Sequence, residues 1–256
     1  MTADSLFVPG AHDTWLPTDA ARGPWTPEAL HGGPPAALLA RALEPLLDPL
    51  LPVRLTIELL RPVPVAPLIV DAELIRPGKK VRLAGARLLH DGTIVATATA
   101  LAIRTEAVAV PEQPTPPAPA PPSEGVTIVP ERATYDAFHN CGVEHRFVAG
   151  SFNESGPATD WIRLRVPVVL DEAPSGLQRV AAAADFGNGV SRVTSFEMLT
   201  FINPDLTIYL EREPIGEWIC LDAVSRLHSH GVGLAESALY DEQGRLGRSV
   251  QSLLVS

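Results

Sequence analysis

The chain has 256 residues, a formal net charge of −10 and 46% hydrophobic residues, enough for one large core or two small ones. Clustered cations for a nucleic-acid backbone are missing, since Lys79 and Lys80 are its two lysines, so a nucleic-acid partner is not expected. No stretch approaches the roughly 18 apolar residues of a membrane span, and Met1-Thr2-Ala3-Asp4 does not open a signal peptide, so a cytosolic protein is expected with Cys141 and Cys220 as free thiols.

In chain order, His31-Gly32-Gly33-Pro34-Pro35 introduces an Ala/Leu run over 36–44, which predicts a helix with its prolines in the first turn and Pro49 and Pro52 beyond its end. Apolar segments of strand length follow at 53–60, 68–76, 81–90 and 93–103, separated by Pro62-Val63-Pro64, Pro77-Gly78 and Asp91-Gly92. Pro111 to Pro122 then carries seven prolines in twelve residues and reads as an extended spacer. Beyond it a short Ala-rich helix is expected over 177–184, with strands near 193–199, 205–211, 217–227, 231–240 and 246–255.

The two halves repeat each other. Arg54-Leu55-Thr56-Ile57 through Arg61-Pro62 is matched by Asp205-Leu206-Thr207-Ile208 through Arg212, and Asp91-Gly92 by the turn at Asp241 to Gly244. This implies a tandem pair, 1–108 and 124–256, joined by a proline-rich linker over 109–123. A nearly all-apolar helix before a long antiparallel meander must be covered on all sides, and a curved sheet wrapped around it does so.

Several polar residues invite a chemical reading. Asp185 closes a run of four alanines and precedes Phe186-Gly187-Asn188-Gly189. If buried there, the helix dipole and desolvation would raise its pKa toward that of a general base; the alternative is a turn facing solvent. Gln251 is either an inward-facing strand residue that needs a partner or an exposed glutamine near the chain end. Asn203-Pro204 could be a plain turn into the next strand. Gly32 and Gly33 supply amides at a helix start, suited to a developing oxyanion, or close packing against a neighbour. His31 could line a cleft or cap the helix locally.

The helix-then-meander order, its duplication, His31-Gly32-Gly33, Leu60-Arg61-Pro62, Asp185, the Asp205 to Arg212 strand and Val250-Gln251 together resemble the double-hotdog acyl-CoA thioesterases of the type II class. The resemblance implies an α+β tandem hotdog, two antiparallel sheets each wrapped around a central helix, and hydrolysis of acyl-CoA to free acid and CoA. It places catalysis at Asp185, Asn203 and Gln251, which hold and polarise a water, with His31, Gly32 and Gly33 on the substrate side. Asn203 stands where the family carries a Thr or Ser, and its amide can still orient a water. No cofactor or metal is implied. Acyl-CoA is the expected partner, and homo-oligomers through sheet edges are possible in this family.

Other chemistries find less support. No Gly-x-Ser-x-Gly elbow occurs. His228-Ser229-His230 lacks a third ligand at metal spacing, and Gly231-Val232-Gly233 lacks the rest of a dinucleotide loop. A hotdog enoyl-CoA hydratase would call for an Asp and His paired on a helix, which neither helix shows; a non-catalytic acyl-CoA binding protein is the other alternative. Aligning the turns sets Thr99 opposite Gln251, and aligning the repeated strands sets Pro52 opposite Asn203, so the first unit is expected to hold a silent copy of the site.

Overall fold

The computed structural model describes residues 3–128 and 135–256, so 129–134 of the second expected unit lie outside it. Both halves run strand pair, helix, four-stranded meander, and the second adds a short helix and a two-residue strand before its meander. A pair of strands, β1 (Phe7–Pro9) and β2 (Thr14–Pro17), precedes α1 (Gly33–Leu47) and the meander β3 (Leu51–Leu59), β4 (Leu68–Arg76), β5 (Val81–His90) and β6 (Thr93–Ile103). The second half runs β7 (Val143–Ala149), β8 (Ala158–Leu164), α2 (Gly176–Ala184), a short α3 (Gly187–Val190), the two-residue β9 (Phe201–Ile202), then β10 (Asp205–Leu210), β11 (Trp218–His228), β12 (Val232–Asp241) and β13 (Gly244–Val255).

All strands join one antiparallel sheet in the order β1-β2-β4-β5-β6-β3-β10-β13-β12-β11-β8-β7, with β9 on β13. This is a tandem hotdog, each half curving around its own helix. The halves meet at β3 and β10, where the repeated Leu-Thr-Ile text pairs with itself: Leu55 opposite Ile208, Thr56 opposite Thr207, Ile57 opposite Leu206. Because an antiparallel pair of identical triplets is centred on its middle residue, a pseudo-twofold passes between the two threonines, whose hydroxyls lie 3.3 Å apart. The leucines and isoleucines face one core shared by both helices.

α1 forms because its Ala/Leu run favours helix and Pro34 and Pro35 sit in the first turn, where no donor is lost. Leu38, Leu39, Leu43 and Leu47 are all sealed, each worth about 2 kcal/mol of burial. It continues past the expected 44 to Leu47, tolerating Pro45 in its last turns. α2 starts at Ser175, whose hydroxyl accepts from the Gln178 amide at 3.1 Å.

One expectation fails. The strand near 193–199 is an irregular loop: the Ser195 carbonyl accepts from the amides of Met198 and Leu199, turning the chain, and only Phe201–Ile202 reaches the sheet. The hydrophobics Val193, Phe196 and Leu199 recur every third residue and cannot share one strand face. Each helix is also preceded by a strand pair that composition did not reveal, because β1 and β2 are short, β7 carries charges at alternate positions and β8 holds Asp160 and Arg163 among its apolar residues. Residues 104–121 have no helix or strand, and the Trp161 indole donates to the Ala120 carbonyl at 2.8 Å near the end of this segment.

Candidate active site

The two helices lie antiparallel, so the start of α1 meets the end of α2. The approach is close enough that a Cβ on Gly33 would sit 2.4 Å from the Ala182 carbonyl oxygen, and one on Gly32 would sit 2.6 Å from Asp185 Oδ2. Both glycines are therefore demanded by packing, and they seat the Asp185 carboxylate against the helix start.

Around that carboxylate the structure gathers all the residues singled out in the sequence. Asp185 follows α2 directly and is 5% exposed. Asn203, in the turn between β9 and β10, donates from Nδ2 to Asp185 Oδ1 at 2.8 Å and to the Asp205 carbonyl at 3.3 Å. Two acceptors on that side fix the amide NH2 there and turn the Asn203 carbonyl oxygen away. Gln251 of β13, 1% exposed, donates from Nε2 to the Asp185 carbonyl at 3.2 Å and to Oδ1 at 3.4 Å, while its Oε1 accepts from the Asn188 amide of α3 at 3.0 Å. Gly187 gives Gln251 room, since a Cβ there would come within 2.8 Å of Oε1. His31 Nδ1 lies 2.9 Å from Asp185 Oδ2 and is the atom toward which the Gly33 backbone N–H donates at 3.1 Å. Its ring is held between Phe138 and Phe186, at centroid distances of 5.2 and 4.5 Å.

The expected rise in the Asp185 pKa is overturned. Burial does press it upward, but the His31 imidazole, the Asn203 amide and the Gly33 N–H act together and hold the carboxyl below its usual range. The α2 dipole and burial are outweighed because the donors come from the start of α1 and from the turn before β10, which sequence distance hides.

The alignment with Thr99 also needs correction. Thr56 pairs with Thr99 as Thr207 pairs with Val250, so the pseudo-twofold partner of Gln251 is Ala100, on the inner face. The turns and the strands of the repeat differ by one residue in offset, and a slip of one moves a side chain to the opposite face. The first half thus offers Pro52 and Ala100 where the second has Asn203 and Gln251. At the opposite end of the helix pair Gln178 donates to Glu44 at 3.0 Å instead.

Further polar groups escaped notice in the sequence. His145 Nδ1 and Asp160 Oδ2 lie 2.6 Å apart in a buried pair on β7 and β8, with His145 edge-on to Phe186. Burial pushes the Asp160 carboxyl up despite its imidazole partner. His139 is pushed down to about 4 by burial and by the neighbouring His31 and His145. The alternation Val143, His145, Phe147 is the signal that could have placed His145 inward. Two residues of the repeated motif are structural: Asp205 Oδ1 accepts from the Ser252 amide at 2.7 Å, and Arg212 forks onto Asp241 at the β12–β13 turn.

Family models agree with this architecture in both halves. The acyl-CoA thioesterase N-terminal domain matches residues 21–103, and the acyl-CoA thioesterase C-terminal domain matches residues 110–255. The chain belongs to the acyl-CoA thioesterase family. At family level this makes it a thioester hydrolase. Solved structures share the fold: a hot dog protein of unknown function from Alicyclobacillus acidocaldarius has 18% identity and a TM-score of 0.75, over 96% of this chain and 94% of that one. Acyl-CoA thioesterase II TesB2 from Mycobacterium marinum has 19% identity and a TM-score of 0.66, over 89% and 90%. A candidate thioesterase from Novosphingobium aromaticivorans DSM 12444 has 23% identity and a TM-score of 0.74, over 98% and 99%. No curated protein matches the sequence significantly.

Proposed function

We propose that this thioesterase family member hydrolyses acyl-CoA thioesters, with water attacking at the junction of α1 and α2. The observation that carries the reading is the convergence of Asn203, Gln251 and His31 on the Asp185 carboxylate. His31, Gly32 and Asn203 are partly exposed, whereas Asp185 and Gln251 are buried, so a thioester arriving from solvent meets the first three. Asp185 anchors the polar set, and the Asn203 carbonyl oxygen is positioned to accept from a water. The Gly33 amide is taken up by the site itself, which leaves the Gly32 amide, at the positive end of α1, to stabilise charge on the thioester oxygen. We place the two hotdog units at 1–108 and 124–256, with 109–123 as the connection.

A second reading is hydration of a 2-enoyl thioester, favoured by one observation: an Asp–His pair, absent within either helix, forms between them at 2.9 Å. Release of CoA thiol across saturated acyl-CoAs of increasing length, measured beside loss of the conjugated double bond in a 2-enoyl-CoA, separates the two. Thiol release from saturated substrates supports hydrolysis. Double-bond loss without thiol release supports hydration, and neither reaction would leave a binding protein.

A further inference from the structure

We infer that His31, rather than Asp185, takes the proton from the attacking water, and that Asp185 positions the imidazole; this rests on the hydrolytic reading above. Both oxygens of the carboxylate are already engaged. Oδ1 accepts from Asn203 at 2.8 Å and from Gln251 at 3.4 Å, and Oδ2 faces His31 Nδ1 at 2.9 Å. A carboxylate surrounded by donors has its charge stabilised and is a poor base, and protonating it would set a new O–H against those donors.

The imidazole is in the opposite situation. Nδ1 is within reach of both Asp185 Oδ2 and the Gly33 nitrogen, and in a neutral ring it can serve only one of them. A bare Nδ1 accepting from Gly33 would point its lone pair at a carboxylate oxygen 2.9 Å away, which is repulsive. With the proton on Nδ1 the contact becomes a charge-assisted hydrogen bond, the Gly33 N–H, which is directed at Nδ1 and also acts on the carboxylate, is left to the carboxylate alone, and Nε2 carries the free lone pair. Phe138 and Phe186 hold the ring, and no protein group among the described residues bonds to Nε2.

The other titratable groups nearby permit this role. His139, in the turn before β7, stays neutral at turnover pH because it is held at about 4, and His145 on β7 is tied to Asp160. Asp185 is thus the charged group that meets the imidazolium formed during the reaction.

The step balances simply. Nε2 takes one water proton while the water oxygen bonds to the thioester carbon and the carbonyl π pair moves onto its oxygen. The tetrahedral adduct then re-forms C=O, the C–S bond breaks with its electrons on sulfur, and the imidazolium returns the proton to the thiolate, giving acid and CoA thiol.

The test pairs kinetics with tautomer state. In His31→Gln the side-chain amide can still donate to Asp185, so the carboxylate stays held, yet kcat should fall by about 100-fold or more with KM within about threefold. On the native chain, ¹⁵N-histidine NMR at a pH where the ring is neutral should find the proton on Nδ1 and Nε2 bare. A native chain that hydrolyses thioesters while His31→Gln keeps kcat within about threefold overturns the inference but leaves the function standing. A proton on Nε2, or a ring still doubly protonated across the active pH range, overturns it even if the variant fails to fold. A native chain that releases no CoA sinks the functional reading instead, and the tautomer still decides whether His31 is set as a base.

Discussion

Asp185 draws its properties from three separate pieces of chain, and substitutions at each should differ in kind. Gln251→Ala removes one long contact to the carboxylate and leaves the Asn188 amide to water, so it should cost roughly 10-fold in turnover, less than the loss of a proton-transfer group. Gly32→Ala should be harsher than its size suggests, because its Cβ would displace the carboxylate itself; steady-state CoA release should fall while the helix content read by circular dichroism is kept. The lowered Asp185 pKa also has a consequence for stability. A carboxyl with a folded pKa below its unfolded value contributes stability that is present above about pH 3.9 and is lost as pH falls through the lowered value. Chemical denaturation across pH 2 to 6, on the order of the carboxylate range, should therefore show native stability declining toward that of Asp185→Asn on acidification. Parallel curves would contradict it.

At the level of elements, the join between halves depends on β10 lying close to both neighbours. Gly247 on β13 opposes Leu210, and a Cβ there would fall 1.9 Å from the Tyr209 carbonyl oxygen, so Gly247→Ala must push the strands apart. A loss of about 3 kcal/mol in unfolding free energy is expected, measured by urea titration; an unchanged midpoint would refute the packing argument. The main elements of this join were readable in the sequence, since β3 to β6 and β10 to β13 are long, apolar and duplicated. The strand pairs before each helix were not, because β1 and β2 are only three and four residues long and β7 carries charges at alternate positions, so both resemble loops. The supposed strand near 193–199 misled for the converse reason: Phe196 is apolar because its ring packs on Phe201 and Trp25 in a loop, not because it lies in a sheet. Asp185 and Gln251 were legible as polar residues in apolar surroundings, whereas the His31 contact joins residues 154 positions apart and no local pattern could signal it.

On the scale of the whole molecule, duplication has built one sheet and one main core, and among the described residues the Asp185 set occupies one end of the helix pair while Gln178 and Glu44 meet at the other. The first half supplies His31 and the glycine helix start, and the second supplies Asp185, Asn203 and Gln251. The pseudo-twofold copy carries Pro52 and Ala100 in place of the last two, so isothermal titration with a non-hydrolysable acyl-CoA should find one productive site per chain. Two equivalent sites would show that the first half works as well. The most direct test of the central claim, a single hydrolytic site organised by Asp185, is CoA release from acyl-CoA by the native chain and by Asp185→Asn, both confirmed as folded. Turnover should drop by about 100-fold or more in the variant; undiminished CoA release in folded Asp185→Asn would contradict the account.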